Sequence, residues 1–283
     1  MEIYILVTLC IVVLIYVMRN GPTMAGIVAG YKVWTYIEDP SYKQIQLYDN
    51  PGKSPVFFRK CIEKMKKFTN NLVVLTPQNI HNYVPEFPIK MSPNSEYSLK
   101  KRVDLLFAFI LEKYGGLCLS PGTIVYDLNH IFSKTYYHDL VSVGGSPEVI
   151  QASFSHLYPN NYVIGSKKNS HFIKSYKHEL LNNFDSVAIR SYQSLSKLIQ
   201  LYKPNQYHYG TVHDGTMNKN MKLVTVQDFL GDEPIEFLDK EKLYVISFPY
   251  DILLKRSEYG WFLNLSEKQF LQSNLQARVL LKT

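Results

Sequence analysis

The chain has 283 residues, of which 46% are hydrophobic and 19% are charged, and its formal net charge is +7. This balance indicates one sizeable folded core and excludes a disordered or repetitive protein, while three cysteines without a Cys-x-x-Cys pairing exclude a disulfide framework and a structural zinc site. The basic residues are dispersed and no RNA-binding or helix-turn-helix signature accompanies them, so nucleic acid is not expected as a partner.

Residues 1–20 are predicted to form an uncleaved membrane anchor, because Ile3–Met18 is almost continuously apolar. A helix of that length rises about 24 Å, slightly less than the roughly 30 Å of a hydrocarbon core. A signal peptide is the alternative, but no basic region precedes the segment and no Ala-x-Ala follows it. Residues 21–30 are rich in small residues and are predicted to form a short stem before a single domain, residues 31–283.

The charges that flank the apolar segment indicate its orientation. Glu2 precedes it, whereas Arg19 and Lys32 follow it. By the positive-inside tendency, the large domain is expected on the cytoplasmic side of a membrane.

The first half of the domain alternates strands with helices, an order that favours a parallel sheet with helices on its faces. Ser54 is the expected N-cap of the first helix, with Pro55 at its first position. The predicted elements are strand Tyr31–Ile37, a helix from Pro55 to Phe68, strand Leu72–Leu75, a helix from Thr76 to Tyr83, and a helix from Ser98 to Lys113.

The first of these helices is strongly amphipathic. Its basic side chains are predicted to form a solvated face, with binding of anionic lipid headgroups as the functional alternative. The predicted buried stripe is Phe57, Phe58, Cys61, Ile62, Met65 and Phe68, and the basic set is Arg59, Lys60, Lys64, Lys66 and Lys67.

The second half continues with short strands and two further long helices. Asn169 is the expected cap of the first of these helices, and Ser266 with Gln269 is typical of a capping box. The predicted elements are strands Leu117–Leu119, Leu140–Val143 and Tyr162–Gly165, helices His171–Asn182 and Val187–Leu201, and a polar loop Tyr207–Thr216.

A helix from Arg102 to Lys113 that runs directly into Tyr114-Gly-Gly and a hydrophobic strand is the most distinctive pattern of the chain. It resembles nucleotide-sugar glycosyltransferases of the capsular-polysaccharide-synthesis and DXD-containing type. In those families an Asp-Leu-Leu-Arg helix leads into Tyr-Gly-Gly, a strand, and then Asp-x-Asp or a single Asp. The resemblance implies an α/β fold of the glycosyltransferase A (GT-A) type, an open mixed sheet flanked by helices.

The resemblance also assigns roles to particular residues. Asp104 matches the family aspartate that contacts the nucleoside, and Trp34 lies where an aromatic ring stands near the base. The family arginine falls on Phe107, and the two metal-binding acids fall on Ser120 and Gly122. The alternatives are a core position for Trp34 and, for Asp104, a helix carboxylate that pairs with a lysine one turn earlier.

Neither Ser120 nor Gly122 can replace a metal-binding carboxylate, so no metal is expected at the motif. Asp127 and Asp139 follow it at spacings that favour ordinary loop acids. The most polar concentration of the second half consists of His208, His213 and Asp214, for which a Gly-rich turn is the default interpretation and a metal role the alternative.

The predicted function is that of a membrane-anchored, glycosyltransferase-like protein with a degenerate donor site, non-catalytic and serving in binding or in structure. A virus particle is one setting for that role, with other particle proteins as partners. The alternative is an active transferase that uses Mn²⁺ or Mg²⁺, a nucleotide sugar and a glycan acceptor. No Gly-x-Ser-x-Gly, Walker A or His-Glu-x-x-His element supports a hydrolase or a nucleoside triphosphatase.

Overall fold

A computed structural model gives the fold. The predicted anchor and stem and the predicted cap Ser54 lie outside the part of the chain that it describes. Within that part, every helix is too short or too polar to cross a membrane. The described residues are 31–38, 55–89, 91, 97–145, 155–186 and 191–282.

In the described part of the chain, eight short strands form two sheets. The central sheet has six strands in the spatial order β2-β1-β3-β6-β5-β7, and β4 pairs with β8 in a separate antiparallel ribbon. In chain order the strands are β1 Val33–Tyr36, β2 Leu72–Leu75, β3 Gly116–Leu119, β4 Thr123–Val125, β5 Leu140–Val143, β6 Val163–Ser166, β7 Gln206–Tyr209 and β8 Val245–Ser247.

The central sheet is mixed. Strand β1 pairs in parallel with β2 and β3, and β5 pairs in parallel with β7. Strand β6 runs antiparallel to both of its neighbours, β3 and β5. The open mixed sheet implied by the family resemblance is therefore confirmed, with five strands pointing one way and β6 the other. The order of elements in the first half alone favoured a parallel sheet, because it does not show the reversed strand.

Helices cover both faces of this sheet. Successive side chains of β3 enter different clusters, since Leu117 and Leu119 join one hydrophobic core and Cys118 joins the other. The helices are α1 Val56–Phe68, α2 Ile80–Tyr83, α3 Leu99–Tyr114, α4 Asn129–Lys134, α5 His171–Asn182, α6 Ser191–Tyr202, α7 Val226–Leu230, α8 Tyr250–Lys255, α9 Gly260–Leu263, α10 Glu267–Gln272 and α11 Gln276–Lys282.

The backbone conformation explains why two glycines follow Tyr114. Both have positive φ, +67° at Gly115 and +96° at Gly116. A Cβ atom at Gly116 would lie 2.2 Å from the carbonyl oxygen of Lys32 on the adjacent strand. Glycine at this position therefore lets α3 turn directly into β3 beside β1.

Two local predictions are wrong. The segment predicted as a loop from Tyr207 begins inside β7, because its tyrosines fit a pleated strand at the edge of the sheet. Helix α5 is capped by Ser170, whose hydroxyl accepts a hydrogen bond from the Ile173 amide, whereas Asn169 has a φ of +58°. The capping box of Ser266 and Gln269 is confirmed at the start of α10.

The basic face of α1 also needs a correction. Lys64 is buried, and its ammonium donates to the carbonyl of Leu280 at 3.2 Å and lies over the ring of Tyr126. Burial lowers the pKa of this lysine. Phe68, predicted to be buried, is 37% exposed at the end of the helix. The C-terminal helix α11 is what covers Lys64, which local periodicity cannot show.

Candidate functional site

Several polar residues lie at the edge of the sheet where the parallel strands end. Strand β1 has β2 on one side and β3 on the other, and the crevice at the carboxyl ends of such strands is where open α/β sheets bind ligands. Glu38 follows β1, and Ser120 follows β3. Because β6 is reversed, Asn161, just before it, lies at the same edge. The Ser120 amide donates to the Tyr162 carbonyl at 2.8 Å.

Asp104 of α3 is bound at this edge by a lysine one turn earlier. The Lys100 ammonium lies 2.7 and 2.9 Å from the two carboxylate oxygens, and it also donates to the side-chain oxygen of Asn161. It lies 4.8 Å from the centre of the Tyr162 ring. The pairing with Lys100 anticipated from the sequence is confirmed.

Tyr162, Tyr176 and Tyr250 all lie close enough to Asp104 to feel its charge, and the last two are buried most deeply. Burial raises the pKa of Tyr176 and of Tyr250, and the negative charge of Asp104 raises both further. Both rings are almost completely buried. The hydroxyl of Tyr250 has no hydrogen-bond partner among the described residues. Asp104 is thus the acidic centre of a polar cluster enclosed in the protein.

A second ion pair fills the crevice beside β1. Arg102 contacts Glu38 at 2.5 Å, with side chains that are 3% and 6% exposed. The hydroxyl of Tyr36 donates to the same carboxylate at 3.1 Å, and the Arg102 side chain donates to the carbonyl of Tyr97. Both charges are therefore neutralised within the protein.

Ser120 and Gly122, which occupy the positions of the family's metal-binding acids, are both buried in the protein. Ser120 is 1% exposed, and its hydroxyl lies 3.0 Å from that of Thr123. A Cβ atom at Gly122 would meet Phe248 at 3.3 Å and Tyr250 at 3.5 Å, so the segment after β8 packs directly on this turn. Phe107, at the arginine position, is 2% exposed within the core.

Trp34 lies in the core. Its side chain is fully buried, and its indole N–H donates to the carbonyl of Gly115 at 3.1 Å. The ring packs against Tyr83 and Tyr114, with centroid separations of 5.5 and 5.2 Å. This arrangement favours the core interpretation, because a stacking platform needs an accessible face.

The polar residues His208, His213 and Asp214 have separate partners. The two ring nitrogens of His208 each lie 2.9 Å from a serine hydroxyl, those of Ser142 and Ser155, and burial lowers the pKa of His208 to about 4. His213 bonds to the carbonyl of Lys242 through Nδ1.

Asp214 is completely buried beside the sheet. It accepts hydrogen bonds from Thr216, at the backbone N–H and the hydroxyl, and from the side-chain amide of Asn160. Burial raises the pKa of this carboxyl to about 7, outweighing the opposite effect of those hydrogen bonds. A Cβ atom at Gly144 would lie 1.5 Å from one carboxylate oxygen, so the glycine makes room for the acid.

Among the described residues, no group of three or more His, Cys, Asp or Glu side chains converges as a metal site would require. Asp127 accepts the backbone N–H of Asn129 at the start of α4. Asp139 pairs with Lys167 at 3.0 Å. Both acids have local structural partners.

A cavity of about 200 Å³ opens next to the polar cluster, with Tyr162 in its wall. Asn160 also lines it, and the remaining lining residues come from the segment after β7, from α7 and from the segment 247–259. Local sequence reasoning missed this cavity, because almost 100 residues separate Asn160 from Tyr259 and no motif connects them.

The model of the family described as capsular polysaccharide synthesis protein matches residues 50–234, more than half of the chain. The chain belongs to this family. The match includes Asp104, both glycines and the altered acid positions. A comparison with curated proteins found no match.

Membership in the capsular polysaccharide synthesis family supports a glycosyltransferase-like function in general terms. The family match does not address the predicted membrane anchor, the cytoplasmic-side location or the role in a virus particle, all of which stay predictions. The same holds for the nucleotide-binding roles of Trp34 and Asp104.

Proposed function

We propose that this protein is a glycosyltransferase-like domain of the GT-A type that has lost metal-dependent sugar transfer and serves in binding or in structure. The mixed sheet flanked by helices and the family match support the ancestry. The observation that supports the loss is the closed packing of Phe248 and Tyr250 on Gly122, next to a Ser120 hydroxyl that is already paired.

The chemistry of sugar transfer explains why this packing matters. Breaking the glycosidic bond of a nucleotide sugar leaves a diphosphate, whose growing negative charge is commonly stabilised by a divalent cation on carboxylates. Ser120 has one neutral oxygen and Gly122 has no side-chain ligand. Reaching either position would also require displacing the residues packed on them.

An active, metal-independent transferase is the second candidate. One observation favours it: the Lys100 ammonium faces Tyr162, and Tyr162 also lines the open cavity. A lysine next to a cavity can stabilise a diphosphate leaving group without a metal. In that case Asp104 and Asn161 position the lysine, and its release from Asp104 accompanies donor binding.

The experiment is a turnover assay on the full chain with a panel of UDP-, GDP- and CMP-sugars, with and without Mn²⁺. We expect neither hydrolysis of the donor nor transfer. Robust turnover would overturn the proposal, and turnover without metal that disappears in Lys100→Met would establish the second candidate. Lys60→Met, at a lysine of α1 paired with Glu267, is the matched control for loss of one lysine.

A further inference from the structure

The cavity beside Tyr162 has predominantly apolar walls. They are contributed by the loop before α7, by α7 itself and by the segment from the end of β8 through α8 to Tyr259. Its apolar side chains include Leu223, Val224, Val226, Phe229 and Ile252.

Polar side chains also line the cavity. Most of them are already paired, and the exception is the buried Ser247 hydroxyl, which has no hydrogen-bond partner among the described residues. Asn160 and Thr216 both donate to Asp214. Thr225 is occupied by the capping box of α7. Gln227 donates to the hydroxyl of Tyr259 at 2.8 Å.

The hydrogen bonds among these lining side chains determine which kind of ligand the cavity favours. A polyhydroxylated sugar ring would bury several hydroxyl groups against partners that are mostly engaged, and each hydroxyl left without a hydrogen bond would weaken binding. An apolar group incurs no such cost and gains from leaving water. The walls therefore favour a hydrocarbon or aromatic group over a sugar.

A positively charged side chain lies at the exposed side of the cavity. Arg256 lines it, and its guanidinium lies 3.4 Å from Glu258, with both side chains 56% exposed. Exposed ion pairs of this kind contribute little to stability, so an anionic ligand can compete with Glu258 for the guanidinium. A guanidinium binds phosphate and carboxylate groups in a bidentate manner.

We propose that this cavity binds the apolar part of an anionic amphiphile, an alkyl or aryl group whose phosphate or carboxylate pairs with Arg256. An apolar cavity of about 150 Å³ accommodates benzene, so a volume of about 200 Å³ holds one ring or a short alkyl segment, and a longer chain continues through the open side. The inference does not depend on the proposed loss of sugar transfer, because the amphiphile contacts neither Ser120 nor Gly122.

The test is calorimetric titration of the full chain with octyl phosphate below its critical micelle concentration, and with octanol and inorganic phosphate for comparison. We expect saturable one-to-one binding of octyl phosphate, with weaker binding of octanol and none of inorganic phosphate. Absence of saturable binding of octyl phosphate would overturn the proposal. Equal binding of inorganic phosphate would also overturn it, by showing a plain anion site.

Two variants with matched controls locate the site. Leu223→Trp fills the cavity and should abolish binding, whereas Leu238→Trp, at a partly exposed leucine outside the lining, should not.

Arg256→Gln should weaken binding roughly tenfold or more, the effect of one charged hydrogen bond. Arg59→Gln, which removes another exposed Arg–Glu pair, should leave it unchanged. Unchanged affinity in both Leu223→Trp and Arg256→Gln would overturn the assignment, provided that thermal unfolding shows folded protein.

The anionic amphiphile can come from a membrane or from solution, and a second arm of the experiment distinguishes these sources. Co-sedimentation with phosphatidic acid vesicles that is lost in Leu223→Trp identifies a lipid. Binding of octyl phosphate without sedimentation identifies a soluble ligand. Sedimentation that persists in Leu223→Trp and is not competed by octyl phosphate would count against the cavity as the lipid site.

Discussion

The Lys100 ammonium bridges both carboxylate oxygens of Asp104 at 2.7 and 2.9 Å while also reaching Asn161. This contact joins α3 to the segment before β6 at the edge of the sheet where the family motif ends. Asp104 is therefore part of the structure of this edge in addition to being a candidate for binding a nucleotide. Any variant of it must be tested for folding before it is tested for function.

We expect Asp104→Ala to lower the free energy of unfolding by about 3 kcal/mol, because it leaves a partly buried lysine without its partner. The Asp104 side chain is 2% exposed and that of Lys100 is 17% exposed. Urea unfolding measures the change. Glu236→Ala, which breaks the exposed pair with Lys219, is the control and should change stability by less than about 1 kcal/mol. Equal effects of the two substitutions would contradict a structural role for the buried pair.

We expect Gly144→Ala to be strongly destabilising. Its φ is +73°, which costs a non-glycine residue about 1–3 kcal/mol, and the new Cβ would collide with the Asp214 carboxylate. Gly210→Ala is the matched control, because nothing lies within 4 Å of a Cβ there and its φ is −64°. Thermal unfolding of both variants checks the prediction, and a Gly144→Ala protein as stable as Gly210→Ala would refute it.

We expect Asp214 to make the protein less stable as pH rises from about 4 to 7. Burial raises its pKa from 3.8 to about 7, so in this range the native state binds more protons than the unfolded chain. Stability then falls with pH by at most about 1.4 kcal/mol per unit from this group. Asp214→Asn, which cannot ionise, should remove this contribution. Urea unfolding at several pH values provides the comparison, and an unchanged slope would contradict it.

We expect His208 to stay neutral down to about pH 5. Burial lowers its pKa from 6.5 to about 4, so its contribution to stability is present above about pH 6.5 and is lost as pH falls towards 4. Long-range ¹H–¹⁵N NMR correlations of the imidazole, assigned with His208→Asn, measure the titration. A midpoint near 6.5 would show that the ring is not enclosed between Ser142 and Ser155. The effect opposes that of Asp214, so single variants are needed to separate them.

Much of the local structure could be predicted because its causes are local. The amphipathic stripe of α1, the motif helix α3 and the capping box of Ser266 follow from side-chain periodicity and from hydrogen bonds three residues apart. The Lys100–Asp104 pair is also local, since one helical turn separates the two residues. The prediction of Asn169 as the cap was wrong by one residue, because asparagine and serine are both favoured N-caps and the two residues are adjacent.

The amino-acid sequence by itself determined the family, the alternation of strands and helices, and the replacement of the motif acids by Ser120 and Gly122. Each of these features depends on residues that are close together in the chain. Only the tertiary structure decided that β6 is reversed, that Lys64 is buried under α11, and that Phe248 and Tyr250 close the turn at Gly122. It also formed the cavity beside Tyr162. These features depend on contacts between segments far apart in the chain, whose pairing is set by packing of the whole core and leaves no periodic signal in either segment.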